Sequence, residues 1–186
     1  KLDVTPPGYQ VLHQARTLSR KKGGGGVAIV HRQTLKVTRI DVGSTNEFES
    51  LAVNVTTKSS SFTVVCVYRP PGAVTSELCD ALSDLFDHLL LSGKTFVVCG
   101  DFNCPPRLGY ADGLIDERID AVLSNYNLDQ HVDQPTFNRS GNTLDLIITQ
   151  DCDTGFVKDV AVKSTGFSDH SLVYCTLAAS LDNPST

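Results

Sequence analysis

The sequence predicts a single α/β domain rich in sheet, and three observations carry that expectation. Short β-branched apolar runs recur along the chain, two segments repeat apolar residues at helical spacing, and several apolar runs stop abruptly in polar residues. With 186 residues, 40% apolar and 20% charged, the chain has the make-up of one globular unit. That unit is assigned to residues 1–179, with residues 180–186 as a frayed, flexible tail. A chain of this length buries roughly 70% of its unfolded surface, so a core forms without metal or disulfides.

The elements follow in order. Val27-Ala28-Ile29-Val30 comes directly after four glycines at residues 23–26 and reads as a strand. Leu51-Ala52-Val53-Asn54-Val55 and the run from Phe62 to Tyr68 are short and β-branched. Leu78, Leu82, Leu85, Phe86, Leu89 and Leu90 then recur at helical spacing, with Thr75 or Ser76 to cap the start and Gly93 to end it. His88 lies in this helix and reads as a solvent-facing residue. Thr95-Phe96-Val97-Val98-Cys99 is continuous, as for a strand covered on both faces. Ile115, Ile119, Val122, Leu123 and Tyr126 make a second helical stripe. Leu144 to Ile148, Val157 to Val162 and Leu172 to Cys175 complete the strands.

Composition excludes several classes. No apolar run approaches the roughly 20 residues of a membrane span, and no signal peptide opens the chain, so the expectation is an intracellular protein, nuclear or cytoplasmic, with no membrane partner. Six cysteines form no CxxC pair, and Cys66, Cys99 and Cys175 sit in apolar runs, so they read as buried free thiols of a reducing compartment. The net charge of −5 divides unevenly: residues 1–58 carry nine Lys/Arg against four Asp/Glu, and residues 59–186 carry seven against seventeen. A uniformly basic nucleic-acid coat is excluded, whereas an acidic centre beside a basic lip is not. Residues 23–26 are no phosphate-cradling P-loop, because no Gly-Lys-Ser/Thr follows. Preceded by Arg20-Lys21-Lys22, they read as a flexible basic turn able to touch a polyanion. With no Gly-x-Ser-x-Gly elbow and no Cys beside a His, nucleophilic catalysis is disfavoured.

Chemistry concentrates where apolar strands end, since ligand sites in α/β folds gather there. In Cys99-Gly100-Asp101-Phe102-Asn103 the strand delivers a carboxylate and, two residues on, an amide. Either the two address one metal-bound phosphate from the same side, or they make an Asx turn. Ser168-Asp169-His170 sets an imidazole beside a carboxylate, a base or phosphate ligand near neutral pH. Asp145 is an acid within an apolar run and needs either a partner or an outward-facing place. Tyr68 ends a strand, as a phosphate donor or as cover for the core edge.

Taken together and in order, residues 23–27, Tyr68-Arg69-Pro70-Pro71, Gly100-Asp101-Phe102-Asn103, Asp133-Gln134-Pro135-Thr136, Thr143-Leu144-Asp145-Leu146-Ile147 and Ser168-Asp169-His170 resemble one family over nearly the whole chain. It is the endonuclease/exonuclease/phosphatase superfamily, in particular the apurinic-type endonuclease domain of LINE-type (non-LTR) retrotransposons. The resemblance implies a deoxyribonuclease-I-like four-layer α/β sandwich, two packed mixed sheets with outer helices. It implies phosphodiester hydrolysis of DNA with a divalent metal, Mg²⁺ (or Mn²⁺), and a reverse transcriptase elsewhere in the polyprotein. Asp101 then resembles the group that activates the attacking water or serves the leaving oxygen. Asn103 resembles the group that positions phosphate and water, and His170 a phosphate-contacting imidazole oriented by Asp145. Asp169, with Asp101, resembles a metal-proximal acid, Tyr68 a phosphate-contacting phenol and Thr136 a loop hydroxyl near the DNA.

The family pattern opens with a strand bearing an Asn and a second strand ending in a metal-binding Glu, and nothing in this sequence matches them. Lys1 to Tyr9 resembles the loop that follows, so the expectation is an N-terminally truncated domain, or one that takes those elements from another chain. Glu47 and Glu49 come later, Glu49 at the start of the next strand, and neither is assigned that role. Missing central strands expose sheet edges, which predicts a homo-oligomer. Two other functions stay open: a catalytically silent module that binds nucleic acid or protein, and a phosphomonoesterase on the same core.

Overall fold

The computed structural model describes residues 5–16, 25–58, 60–107, 113–153 and 155–178. The expected basic residues 20–22, the first two glycines of the run and the tail at 180–186 lie outside the described residues. In chain order the elements are β1 (Tyr9–Ala15), β2 (Gly26–Arg32), β3 (Lys36–Ile40), β4 (Glu49–Thr56), β5 (Ser61–Tyr68), α1 (Ser76–Leu91), β6 (Phe96–Asp101), α2 (Glu117–Asn125), β7 (Leu128–Gln130), β8 (Asp145–Gln150), β9 (Val157–Lys163) and β10 (Leu172–Leu177). Every strand and helix read from the sequence is present; β1, β3 and β7 are additional.

Six strands form one mixed sheet in the order β3-β4-β5-β6-β8-β7. Only β5 and β6 run parallel, and α1 is the connection that this direction requires. Thr75 caps α1, its Oγ1 accepting the Leu78 N–H at 3.2 Å, and Leu78, Leu82, Leu85, Phe86 and Leu89 face inward. His88 points to solvent, as its place on the polar side requires. The second helix starts later than the apolar stripe suggests: Asp116 caps it, its carboxylate accepting the Arg118 N–H at 3.0 Å, and Ile115 packs ahead of the first turn.

Both helices cover one face of the sheet, where Ala52, Val65, Val67, Val98, Leu146 and Ile148 meet them. The opposite face carries Val53, Val55, Phe62, Val97 and Ile147 and packs under two antiparallel pairs, β1-β2 and β9-β10. This is the mixed α/β architecture expected from the sequence. Where the resemblance implies a continuous second sheet under further helices, the described residues form two separate pairs without a shared ladder. Val11, Val30, Leu172 and Tyr174 are exposed on these pairs.

All six cysteines are free; Cys104 is buried, Cys152 exposed and the other four lie between. Burial, with Cys66 and Cys175 close by, pushes the Cys99 thiol up to about 12, which makes it inert. No helix among the described residues is long and apolar enough to cross a membrane.

Candidate active site

The central strands end together. Glu49 on β4 is the register partner of Tyr68 on β5, Tyr68 of Asp101 on β6, and Asp101 of Asp145 on β8. Partners in register project from the same face, so four polar side chains make one row across four strands, each about 4.8 Å from the next. The row lies on the face under the two antiparallel pairs, since Cys66, Cys99 and Ile147 share its side of their strands. One glycine makes this possible. Gly100 has φ +139°, and a Cβ there would lie 1.9 Å from the Val67 carbonyl oxygen. No other residue lets β6 approach β5 so closely just before Asp101.

Asp101 does form the Asx turn: its Oδ1 accepts the Asn103 N–H at 3.1 Å. Its Oδ2 also accepts the Asn103 side-chain amide at 2.8 Å, and that amide donates to the Arg69 carbonyl at 2.9 Å. Asn103 sits at φ +47°, a left-handed conformation that Asn tolerates better than most residues. Asp145 lies across from Asp101 and accepts a hydrogen bond from His170 Nδ1 at 2.9 Å. With Nδ1 donating, Nε2 is the nitrogen left to address a substrate. The His170 ring packs against Phe137, centroids 4.9 Å apart.

Burial and the neighbouring charge of Asp145 raise the Asp101 carboxyl from 3.8 to about 6, against the opposing pull of His170 and the Asn103 hydrogen bonds. Burial alone lowers His170, but the hydrogen bond to Asp145 and the charges of Asp145, Asp101 and Asp169 outweigh it and raise the imidazole. Two carboxylates and one imidazole thus stand together at the end of these strands.

The structure brings Asp101, Asn103, Asp145 and His170 together and sets Tyr68 in the same row. Thr136 is placed otherwise than a hydroxyl facing DNA. It is fully buried, and its Oγ1 accepts the N–H groups of Leu144 and Asp145 at 2.9 and 3.0 Å, so it fixes the backbone that carries Asp145. Asp169 turns outward and pairs with Arg139 at 3.3 Å. Two contributors were not assigned from the sequence. Arg69 is buried and donates to the carbonyls of Asn103 (2.7 Å), Gly72 (3.0 Å) and Ala73, fastening the Asn103 turn to the loop after β5. Its signal is the two following prolines, which have no N–H to offer, so a side chain must satisfy the loop carbonyls. Phe137 follows Thr136 directly and would be found only from the fold.

Among the described residues, no three carboxylate, imidazole or thiol side chains converge on one point as a metal cage. A hard cation of the Mg²⁺ kind needs less: one or two carboxylates, with water and phosphate oxygens for the rest. Asp101, half-buried at the end of β6, supplies one such carboxylate.

The model of the endonuclease/exonuclease/phosphatase family matches residues 2–170. The chain belongs to that family. Among solved structures, this family member is similar to the endonuclease domain of TRAS1, a telomere-specific non-LTR retrotransposon, with 18% identity, a TM-score of 0.69, and 92% of this chain and 81% of that one covered. The human Nocturnin catalytic domain with bound sulfate gives 21%, 0.62, 90% and 71%. The 3′ phosphatase NExo from Neisseria, bound to product DNA hairpin, gives 19%, 0.58, 91% and 79%. At such identities the likeness establishes the shared deoxyribonuclease-I-like fold. No curated protein matches the sequence. Members of this family are phosphoester hydrolases, and hydrolysis is what the endonuclease/exonuclease/phosphatase row has the groups to perform.

Proposed function

We propose that this chain is a divalent-metal-dependent endonuclease that nicks DNA, of the kind carried by non-LTR retrotransposons. The observation that carries the reading is the meeting of the Asp101–Asn103 turn with the Asp145–His170 pair at one strand end. Phosphoryl transfer asks mainly for positioning and charge neutralisation. His170 offers Nε2–H to a phosphate oxygen while Asp145 holds its ring. Asn103 orients the phosphate and the water, Tyr68 donates its phenol, and Asp101 takes the proton of the attacking water or serves the leaving oxygen. Thr136 is a positioning residue beneath Asp145. Asp101 is assigned to the Mg²⁺ or Mn²⁺ ion, which when bound would offset charge on the phosphate; for Asp169 to join it there, that side chain has to leave Arg139 and turn inward. Copies of the chain are expected to associate through the unpaired edges of β1-β2 and β9-β10.

Nicking of supercoiled plasmid tests the reading. The purified chain relaxes plasmid with Mg²⁺ and not with EDTA, and Asp101→Ala or His170→Ala lowers the rate at least about 10²-fold. DNA affinity unchanged by these variants, with no cleavage by the wild type, sinks the endonuclease and leaves a binding module. Release of inorganic phosphate from a 3′-phosphorylated oligonucleotide, without nicking, points to a phosphomonoesterase.

A further inference from the structure

The row of polar residues does not stop at Tyr68. Its outer member, Glu49, is buried, with 1% of its side chain exposed. Oε1 accepts Arg16 Nε at 2.7 Å, and Oε2 is buried with no hydrogen-bond partner among the described residues. A carboxylate so enclosed is costly to keep unless something fixed in place needs it. What it fixes is Arg16. The Arg16 guanidinium carbon lies 5.1 Å from the centre of the Tyr68 ring, over its face. On another side it meets Gly25, where a Cβ would fall 2.4 Å from that carbon and 2.5 Å from Nε. Gly25 therefore leaves the space that the guanidinium fills, which gives part of the glycine run a purpose beyond a turn. Three neighbours, contributed by β4, β5 and the approach to β2, hold one cation, and its side chain is still 30% exposed.

We infer that Arg16 is a phosphate-binding cation of this site, fastened by Glu49 and seated on Gly25, and that it grips a backbone phosphate of the bound DNA strand on the Tyr68 side of the reacting centre. The inference rests on the DNA-nicking reading above. A guanidinium carries five N–H donors in a fixed fork. Glu49 engages the Nε donor, and the terminal amino groups are suited to two phosphate oxygens at once. Beyond Tyr68 the row carries the carboxylates Asp101 and Asp145, with His170 at that end, so a phosphodiester strand laid along it needs a cation at the Tyr68 end as well. Glu49 acts through Arg16 and is a positioning residue. The acidic balance of residues 59–186 makes this basic contact from the N-terminal third the more consequential.

The test is binding of a short DNA duplex in EDTA, read by fluorescence anisotropy over a salt series, with thermal unfolding as the control. Arg16→Ala weakens binding about tenfold or more and lowers the slope of log K against log salt by about one, as loss of one phosphate contact requires. Arg16→Lys restores the slope but not the full affinity, because the fork is gone. Glu49→Gln weakens affinity while leaving the slope near that of the wild type. Since Arg16→Ala strands a buried carboxylate, the double variant Arg16→Gln with Glu49→Gln, which buries no charge, carries the same test if the single one fails to fold. Wild-type affinity and slope in a folded Arg16 variant overturn the inference, as does wild-type binding that is indifferent to salt. Nicking abolished by Asp101→Ala but untouched by Arg16→Ala keeps the endonuclease and discards Arg16; a wild type that binds through Arg16 without nicking does the reverse.

Discussion

Asp101 and His170 both hold their protons more tightly in the folded chain than outside it, for different reasons: burial beside Asp145 for the acid, the Asp145 hydrogen bond for the base. The sign of the linkage is therefore the same for both. The contribution of Asp101 to stability is full below 3.8 and is lost as pH rises to about 6. That of His170 is full below 6.5 and is lost as pH climbs through its raised value. Calorimetry in EDTA is expected to show the wild type losing stability relative to Asp101→Asn between those first two limits; parallel curves for the two proteins would contradict the assignment. Asp145→Asn removes the partner that lifts His170. Its imidazole titration, followed by NMR, moves down toward the ordinary histidine value, and nicking falls about 10²-fold with the ring no longer held. Asp101 and Asp145 were legible in the sequence because they end or interrupt an apolar run, and His170 because an imidazole stands beside a carboxylate just before the last strand. Arg16 and Glu49 were not, because their pairing spans 33 positions and joins two loop-flanking strand ends.

At the level of elements, two substitutions separate architecture from chemistry. Gly100→Ala drives a Cβ into the Val67 carbonyl and is expected to cost about 2–4 kcal/mol, measured by urea unfolding, with β5 and β6 forced apart. Thr136→Val keeps the shape but strips the acceptor from two backbone N–H groups, costing about 1–3 kcal/mol, and lowers nicking beyond what lost stability explains by freeing the backbone under Asp145. Strands covered on both faces, such as β6 and β8, announce themselves as unbroken apolar runs. β1 and β3 alternate with Gln, His, Lys, Thr and Arg because one face meets solvent, and β7 has only three residues, so only pairing reveals them. The second layer was expected as a continuous sheet; whether β1-β2 and β9-β10 join is a matter of hydrogen bonds between distant segments, on which side-chain pattern is silent.

For the whole molecule, the outer edges of β1-β2 and β9-β10, unpaired among the described residues, and the exposed Val11, Val30, Leu172 and Tyr174 predict self-association. Light scattering at micromolar concentration should give a mass above the 20.1 kDa of one chain, and a strict monomer would remove that expectation. The cross-strand row has one more consequence, for how such a chain can change. Because neighbouring residues of a strand face opposite ways, deleting a single residue within β6 would swing Asp101 to the helix-covered side, while Tyr68 and Asp145 stayed behind. Strand length here can vary only in steps of two, and even then the row would lose its alignment. The loops between the strands face no such arithmetic. Inheritance of this site is therefore rigid in its counting along the central strands and permissive in the loops that follow them, so, if the site nicks DNA as proposed, target preference can change without the strand ends being rebuilt.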